Sequence, residues 1–219
     1  MKKTLTLLAL TISFSMNAQW SYNSNGVGIQ SSTNNASGSF STAMGEFTTA
    51  SGDRSTAMGN QTRANGDIST AMGGNTTASA SYSTAMGRST TASGSTSTAM
   101  GSYTKASGSR STAMGYSTTA SDYGSLVIGQ YNSSGSSVTN IATSFNTENT
   151  AFVSGNGTAN DSRSDALTVL FDGTTTIAGD LSINSDARLK ANIISLGSTL
   201  AKLLQIDGKT YTMKKDKNK

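Results

Sequence analysis

The sequence predicts an all-β protein whose main body is a parallel solenoid of short strands, and three observations support this prediction. The pentapeptide Ser-Thr-Ala-Met-Gly returns six times at intervals of fourteen residues, which is typical of a repeat fold. Fourteen residues are too few for two helices with their turns, whereas Ser, Thr and Gly about every seven residues indicate two short strands and two turns. The 219 residues include no Pro, which suits an unbroken ladder of backbone N–H donors.

The composition excludes most active-site chemistry. The chain has 38 Ser and 33 Thr, together about a third of its residues, and only 6% aromatic residues. It has no His and no Cys, so an imidazole base, a Ser-His or Cys-His nucleophile pair, a thiolate metal site and a disulfide are all excluded. We therefore expect no cofactor, no metal site and no conventional catalytic centre.

The N-terminal segment has the layout of a secretory signal peptide. Lys2 and Lys3 precede an apolar run over 4–15, and the small residue Ala18 marks the predicted cleavage site. The run is shorter than the roughly 20 apolar residues that a membrane-spanning helix needs. We expect residues 1–18 to be removed, and the mature chain to be secreted to the extracellular space or the outer-membrane surface without a membrane-spanning segment.

Two columns of small residues organise the repeat. Copies of Ser-Thr-Ala-Met-Gly stand at 41–45, 55–59, 69–73, 83–87, 97–101 and 111–115, and 125–129 continues the frame. A second column consists of Ala36, Ala50, Ala64, Ala78, Ala92, Ala106 and Ala120. Because side chains alternate along a strand, Thr42 and Met44 share one face and Ser41 and Ala43 the other.

The Met column is expected to pack in the core rather than to bind a ligand. The small Ala column is expected to let a neighbouring chain approach closely. The apolar content of each coil is low compared with the entropy lost on ordering fourteen residues. We therefore expect an oligomer whose apolar columns are divided between the solenoid interior and a subunit interface.

The repeat resembles the head repeat of YadA-like trimeric autotransporter adhesins and haemagglutinins. The resemblance covers residues 27–129. It includes the repeat length, the Gly that ends each Ser-Thr-Ala-Met-Gly, and the second Gly that follows Ala-Ser in most copies of the Ala column. It implies a left-handed parallel β-roll, a homotrimer and a role in adhesion, with a host surface glycan or matrix protein as the partner.

Residues 130–184 are predicted to form a β-rich connector. Ser, Asn, Thr and Gly prevail over 130–149, which indicates weak strands. The two β-rich runs 166–171 and 174–178 flank Asp172-Gly173 and predict a hairpin, while Gly-Asn-Gly at 155–157 predicts a turn. Three acids have no EF-hand spacing and are interpreted as solvated turn residues rather than calcium ligands: Asp161, Asp165 and Asp172.

The C-terminal segment begins with Ser-Asp-Ala-Arg-Leu-Lys at 185–190 and continues into a predicted short helix over 196–204, with its Leu residues on one face. It resembles the start of the intramolecular chaperone at the C terminus of phage tail spikes and fibres, including endosialidases. The resemblance implies a self-cleavage dyad in which Ser185 is the nucleophile and Lys190 its general base, acting on the Asn184–Ser185 bond. We expect residues 185–219 to be a truncated form of this domain that leaves the chain uncut.

Charge and repeat pattern together leave three functional hypotheses. Residues 19–184 carry six basic and nine acidic groups, a net charge of −3, so we expect no nucleic-acid partner. The leading hypothesis is a secreted, trimeric, adhesin-like or tail-fibre-like protein that presents a Ser/Thr-rich surface for attachment. The alternatives are a self-processing fibre protein and an ice-binding solenoid. Ice binding would use the column Thr42, Thr56, Thr70, Thr84, Thr98 and Thr112, which we expect to point inward together with Met.

Overall fold

The structure is a computed structural model that describes residues 21–22, 29–30, 33–133 and 141–181. These residues form nineteen strands in two sheets and contain no helix. The first sheet begins with the antiparallel strands β1 (Ser21–Tyr22) and β2 (Ile29–Gln30). Its repeat strands are β4 (Thr42–Glu46), β6 (Thr56–Asn60), β8 (Thr70–Gly74), β10 (Thr84–Arg88), β12 (Thr98–Ser102), β14 (Thr112–Tyr116) and β16 (Leu126–Gln130).

The first sheet ends with β17 (Thr150–Asn156), β18 (Asp165–Leu170) and β19 (Thr175–Ile177). The second sheet consists of seven two-residue strands, namely β3 (Asn35–Ala36), β5 (Thr49–Ala50), β7 (Arg63–Ala64), β9 (Thr77–Ala78), β11 (Thr91–Ala92), β13 (Lys105–Ala106) and β15 (Thr119–Ala120). Each coil therefore contributes one five-residue and one two-residue strand.

The coils stack in parallel and in register. Met86 pairs with Met72 on one side and with Met100 on the other, and the same fourteen-residue step relates the neighbouring residues of these strands. Rungs of a sheet lie about 4.8 Å apart, so each residue type forms a continuous column along the rod. The predicted parallel β-solenoid is confirmed.

The interior of the solenoid is built from Ala, Ser and Thr. Thirteen of the fifteen buried hydrophobic residues are Ala from two columns, and the other two are Val127 and Val153. The Ser41 and Thr48 columns are also buried, and in several coils their hydroxyl oxygens have no hydrogen-bond partner among the described residues. In the six Ser-Thr-Ala-Met-Gly coils the interior therefore holds small side chains, and the larger Val127 and Val153 enter it only beyond them.

The prediction that the Met column packs in the core was wrong, as was the prediction that Ala lies at a subunit interface. Ala43 is fully buried and alternates with the half-buried Thr42 and Met44, which therefore lie on the outer face of the same strand. The Ala residues of both columns have no exposed surface. The Thr column likewise faces outward rather than inward.

The coil turns at two corners seven residues apart, where the backbone adopts the left-handed conformation. These corners are occupied by side chains as different as Phe47 (φ 53°), Arg54 (φ 56°) and Ile68 (φ 57°). Each corner N–H donates to a carbonyl of the preceding coil, as Gln61 N–H does to Glu46 O at 2.8 Å. Ser89 also lies at such a corner, with φ 54°.

The Gly of each Ser-Thr-Ala-Met-Gly copy is required for close stacking. Gly87 has φ +119°, and a Cβ added to it would collide with the carbonyl oxygen of Gly101 in the next coil. The same collision recurs at the equivalent Gly along the column. By contrast, a Cβ at Gly74 would meet nothing within 4 Å.

The long sheet continues past the last sequence repeat. Strand β17 pairs in parallel with β16 and places Val153 beside Val127 and Gly155 beside Gly129. The predicted turn at 155–157 was therefore wrong for Gly155 and Asn156, which belong to β17. The predicted hairpin is confirmed, since β18 and β19 pair antiparallel around Asp172-Gly173.

Side-chain amides close the C-terminal end of the solenoid. Asn132 is fully buried, and its Oδ1 accepts from Thr119 N–H at 2.7 Å while its Nδ2 donates to Thr119 O at 3.0 Å. The amide thus stands where the peptide group of a next short strand would be. The carboxylate of Asp122, also buried, accepts from Thr150 N–H at 2.8 Å and fixes the start of β17.

Candidate functional site

An outer stripe of Thr and Met side chains runs along the long strands of the solenoid. It consists of two neighbouring columns, namely Thr42, Thr56, Thr70, Thr84, Thr98, Thr112 and Leu126, and Met44, Met58, Met72, Met86, Met100, Met114 and Ile128. These side chains are half-buried or exposed, and Met114 is 38% exposed. In-register pairing stacks equivalent side chains one above the other, so the stripe repeats regularly from coil to coil.

A groove lies at the corner that follows the outer stripe, near the C-terminal end of the solenoid. Its wall is a ladder of three Tyr rings, in which Tyr103 and Tyr116 lie edge to face at 5.9 Å and Tyr116 and Tyr131 at 5.2 Å. Arg88 stacks over Tyr103 at 4.8 Å from the ring centre. The tyrosine groove encloses about 290 Å³ and is lined by Tyr103, Tyr116, Ser117, Tyr131, Asn160 and Arg163.

The fold positions the groove residues from two separate parts of the chain. Tyr103 and Tyr131 occupy left-handed corners of the coils, so their rings project away from the solenoid. Arg163 comes from the loop between β17 and β18, and its Nη1 donates to Ser117 O at 2.9 Å and to Asn132 O at 3.2 Å. Its Nη2 donates to the Asn160 side chain at 2.8 Å, which holds that amide at the rim of the groove.

The Tyr rings also affect one another electrostatically. A hydrogen bond with Tyr131, followed by charge repulsion from that phenol, raises the pKa of Tyr116 above its ordinary value. Burial contributes in the same direction, and the nearby Arg88 opposes it. The shift moves this pKa further from neutrality, so the Tyr116 hydroxyl is uncharged at neutral pH, as an ordinary phenol is.

Two of the three acidic residues discussed in the sequence analysis accept hydrogen bonds from backbone N–H groups. Asp172 Oδ1 accepts from Thr174 N–H at 2.7 Å within the hairpin turn, and Asp165 Oδ1 accepts from Ser133 N–H at 2.8 Å. Asp161 is exposed in a turn. In the part of the chain that the structure describes, no group of three or more acidic side chains is placed to hold a metal ion.

Several sequence-predicted features lie outside the described residues. They are the signal peptide 1–18, the dyad Ser185 and Lys190 with the Asn184–Ser185 bond, and the helix predicted over 196–204. Their predictions stand untested. Over the described ranges, no helix has the length and hydrophobicity needed to cross a bilayer.

Comparison with known protein families gives a match for the repeat segment and another for the C-terminal segment. The YadA head domain repeat matches residues 36–62, 64–90, 78–104, 92–118 and 106–132, each time spanning two coils of the solenoid. Residues 36–132 are YadA head repeats. The chaperone of endosialidase matches residues 185–219. No curated protein matches the chain.

The combination of a YadA head and an endosialidase-type chaperone segment is that of an adhesin-like or tail-fibre-like protein. Sequence reasoning identified both families but missed the tyrosine groove. Tyr103 and Tyr131 are two repeats apart in one column, and Tyr116 belongs to the adjacent column. A search for aromatic residues at equivalent repeat positions would have found Tyr103 and Tyr131. Tyr116 has no aromatic residue at its equivalent positions, and Asn160 and Arg163 come from outside the repeat, so these three give no such signal.

Proposed function

We propose that the mature protein is a secreted or cell-surface homotrimer that presents the Ser/Thr-rich surface of its YadA head for attachment to a host glycan or matrix protein. The domain plan that goes with this proposal is a signal peptide at 1–18, head repeats at 27–129, a connector at 130–184 and a chaperone segment at 185–219. The observation on which the proposal rests is the outer stripe of the head repeats.

The outer stripe supports self-association for two reasons. It brings an apolar Met from each of six coils, with Ile128 in the next, to one surface of the chain, and large contiguous apolar patches on a solvated surface mark interaction sites. The interior of a single coil buries mainly Ala, whose small side chain contributes little hydrophobic stabilisation. Packing three outer stripes together would bury the Met side chains that one chain leaves half-exposed.

Attachment can be tested with beads coated with the mature chain, residues 19–219, and passed over mucin-coated and collagen-coated surfaces. We expect retention that exceeds that of uncoated beads and depends on the trimer, because three linked heads bind with greater avidity than one. Thr96→Asp, a substitution at the exposed left-handed corner that precedes β12 and lies outside the tyrosine groove, serves as the matched control and should be retained equally. Retention no greater than that of uncoated beads on either surface would refute the attachment function.

Self-processing is a second proposal, favoured by the match of residues 185–219 to the chaperone of endosialidase. A Ser hydroxyl needs a base to remove its proton, and the resemblance to this family implies that Lys190 is that base. We expect the wild-type chain to stay uncut. An intact-mass measurement that finds a wild-type product ending at Asn184, absent from Ser185→Ala and Lys190→Ala, would establish cleavage.

Ice binding is a third proposal, and the outward direction of the Thr column favours it. Thr residues in the outer stripe repeat once per rung on a flat parallel sheet. The proposed trimer covers the same face, so the two proposals exclude each other. Thermal hysteresis in a solution of the mature protein would favour ice binding, and its absence would leave the outer stripe to self-association.

A further inference from the structure

We propose that the tyrosine groove is a saccharide-binding site and that its ligand is an oligosaccharide carrying a carboxylate. This inference rests on the proposed attachment function, because it names the surface and the class of ligand through which attachment takes place. It concerns the end of the head formed by β12, β14 and the loop between β17 and β18.

The size and walls of the groove suit a sugar ring. A volume of about 290 Å³ lies at the small end of ligand pockets and is enough for one or two sugar rings. Tyr103 is 48% exposed and Tyr116 39% exposed, so both rings offer surface to a ligand. The face of an aromatic ring carries partial negative charge and attracts the polarised C–H groups that line one face of a pyranose.

The polar groups of the groove lie around these rings. The Tyr116 ring lies 5.2 Å from the Tyr131 ring, so two phenol hydroxyls belong to this wall, and the Asn160 amide is held at the rim by Arg163. Ser117 also lines the groove. A sugar presents hydroxyl groups around an apolar ring, and this arrangement of donors and acceptors around aromatic walls is complementary to it.

Arg163 is the one charged residue among the six that line the groove. Its three hydrogen bonds to the protein use three of the five N–H donors that a guanidinium carries. Donors therefore remain for an anionic ligand, and a carboxylate matches guanidinium geometry well. This charge favours a uronic or sialic acid over a neutral sugar.

Nucleic acid is a poorer candidate for the same groove. Stacking of bases on Tyr rings is common, but affinity for a phosphate backbone requires several basic side chains along the strand. Residues 19–184 instead carry six basic and nine acidic groups. An acidic sugar needs only one cation, which the groove supplies.

The test uses the full mature chain and immobilised oligosaccharides that end in sialic, galacturonic or glucuronic acid, each paired with its carboxyl-reduced form. We expect wild type to bind at least one acidic chain, and to bind its reduced form about tenfold more weakly. Tyr116→Ala should weaken binding of the acidic chain by about tenfold. Tyr82→Ala is the matched control, because Tyr82 is 58% exposed at a coil corner outside the groove, and it should bind like wild type.

The inference is overturned if no acidic chain binds to wild type, if Tyr116→Ala binds as well as wild type, or if the reduced chains bind equally. Circular dichroism and sedimentation of Tyr116→Ala must match wild type, so that a loss of binding reports on the groove. If beads coated with wild type and beads coated with Tyr116→Ala attach equally well to mucin or collagen, the groove is not the binding site, and the attachment function stands. If wild-type beads do not attach at all, the attachment function itself fails.

Discussion

The backbone N–H and C=O groups of the repeat body and those of its C-terminal end find their hydrogen-bond partners in different ways. Within the body, each coil pairs with an identical coil, so the corner N–H of Gln61 finds Glu46 O and every strand finds a copy of itself. At the end no further copy follows, and Asn132, Asp122 and Arg163 supply amide, carboxylate and guanidinium groups in place of a next coil. Periodicity thus provides hydrogen-bond partners inside the rod, whereas the terminus needs specific polar side chains.

This comparison predicts that the body is most sensitive where coils approach most closely. Gly87→Val places a β-branched side chain at φ +119° and against the carbonyl of Gly101, so it should cost more than about 4 kcal/mol and prevent folding. The measurement is far-UV circular dichroism with urea denaturation at one protein concentration. Gly74→Val is the matched control in the same sheet, where an added Cβ has open space. A folded Gly87→Val protein as stable as Gly74→Val would show that the coils are not closely stacked.

The end should be most sensitive at Asn132. Asn132→Leu removes the amide and leaves the N–H and C=O of the half-buried Thr119 without these partners, at a cost of about 2–4 kcal/mol in the free energy of unfolding. Asn60→Leu, at an exposed site where the amide contacts only the Glu46 carboxylate, should change stability by less than about 0.5 kcal/mol. The urea midpoints of the two variants test this difference. Equal midpoints would mean that the Asn132 amide does not close the solenoid.

The smallest effect is expected in the hairpin beyond the end. Asp172→Ala removes an exposed turn bond to Thr174 N–H and should cost about 1 kcal/mol or less. Asp172→Asn keeps an acceptor oxygen and should fall between the alanine variant and wild type. Hydrogen exchange at the Thr174 amide reports directly on this bond. Faster exchange in Asp172→Asn than in Asp172→Ala would contradict the assigned role.

The sequence predicted the solenoid, its parallel stacking and the hairpin because each depends on local periodicity and turn residues. It placed Met86 inside because large apolar side chains are usually buried, but a coil with two Ala columns leaves room only for small side chains. It also gave no indication that Phe47 or Ile68 would occupy left-handed corners, where Gly is the usual residue. Continuation of the sheet into β17 was missed because the intervening 130–149 segment breaks the fourteen-residue step.

The candidate site was predictable only in part. A subunit interface was expected from the small apolar content of each coil and was assigned to Ala, but the structure buries both Ala columns inside the coil. The Thr and Met of the outer stripe are the surface that we propose for self-association instead. The Asn160 and Arg163 side chains approach the Tyr ladder through the fold of the loop before β18. Spacing in the sequence does not encode that approach.

In the proposed assembly, Ala fills the interior of each chain and the outer stripe joins three chains. Sedimentation equilibrium of the mature chain at micromolar concentration is the direct test of this arrangement. We expect wild type and Ser89→Asp to sediment as β-rich trimers, because Ser89 lies at a corner where Asp is tolerated in the left-handed conformation. Met86→Asp should lose the trimer and, with it, most of the β-sheet signal, because an unpaired charge would enter the interface. A folded, β-rich monomer for wild type, or a Met86→Asp trimer as stable as that of Ser89→Asp, would contradict the account.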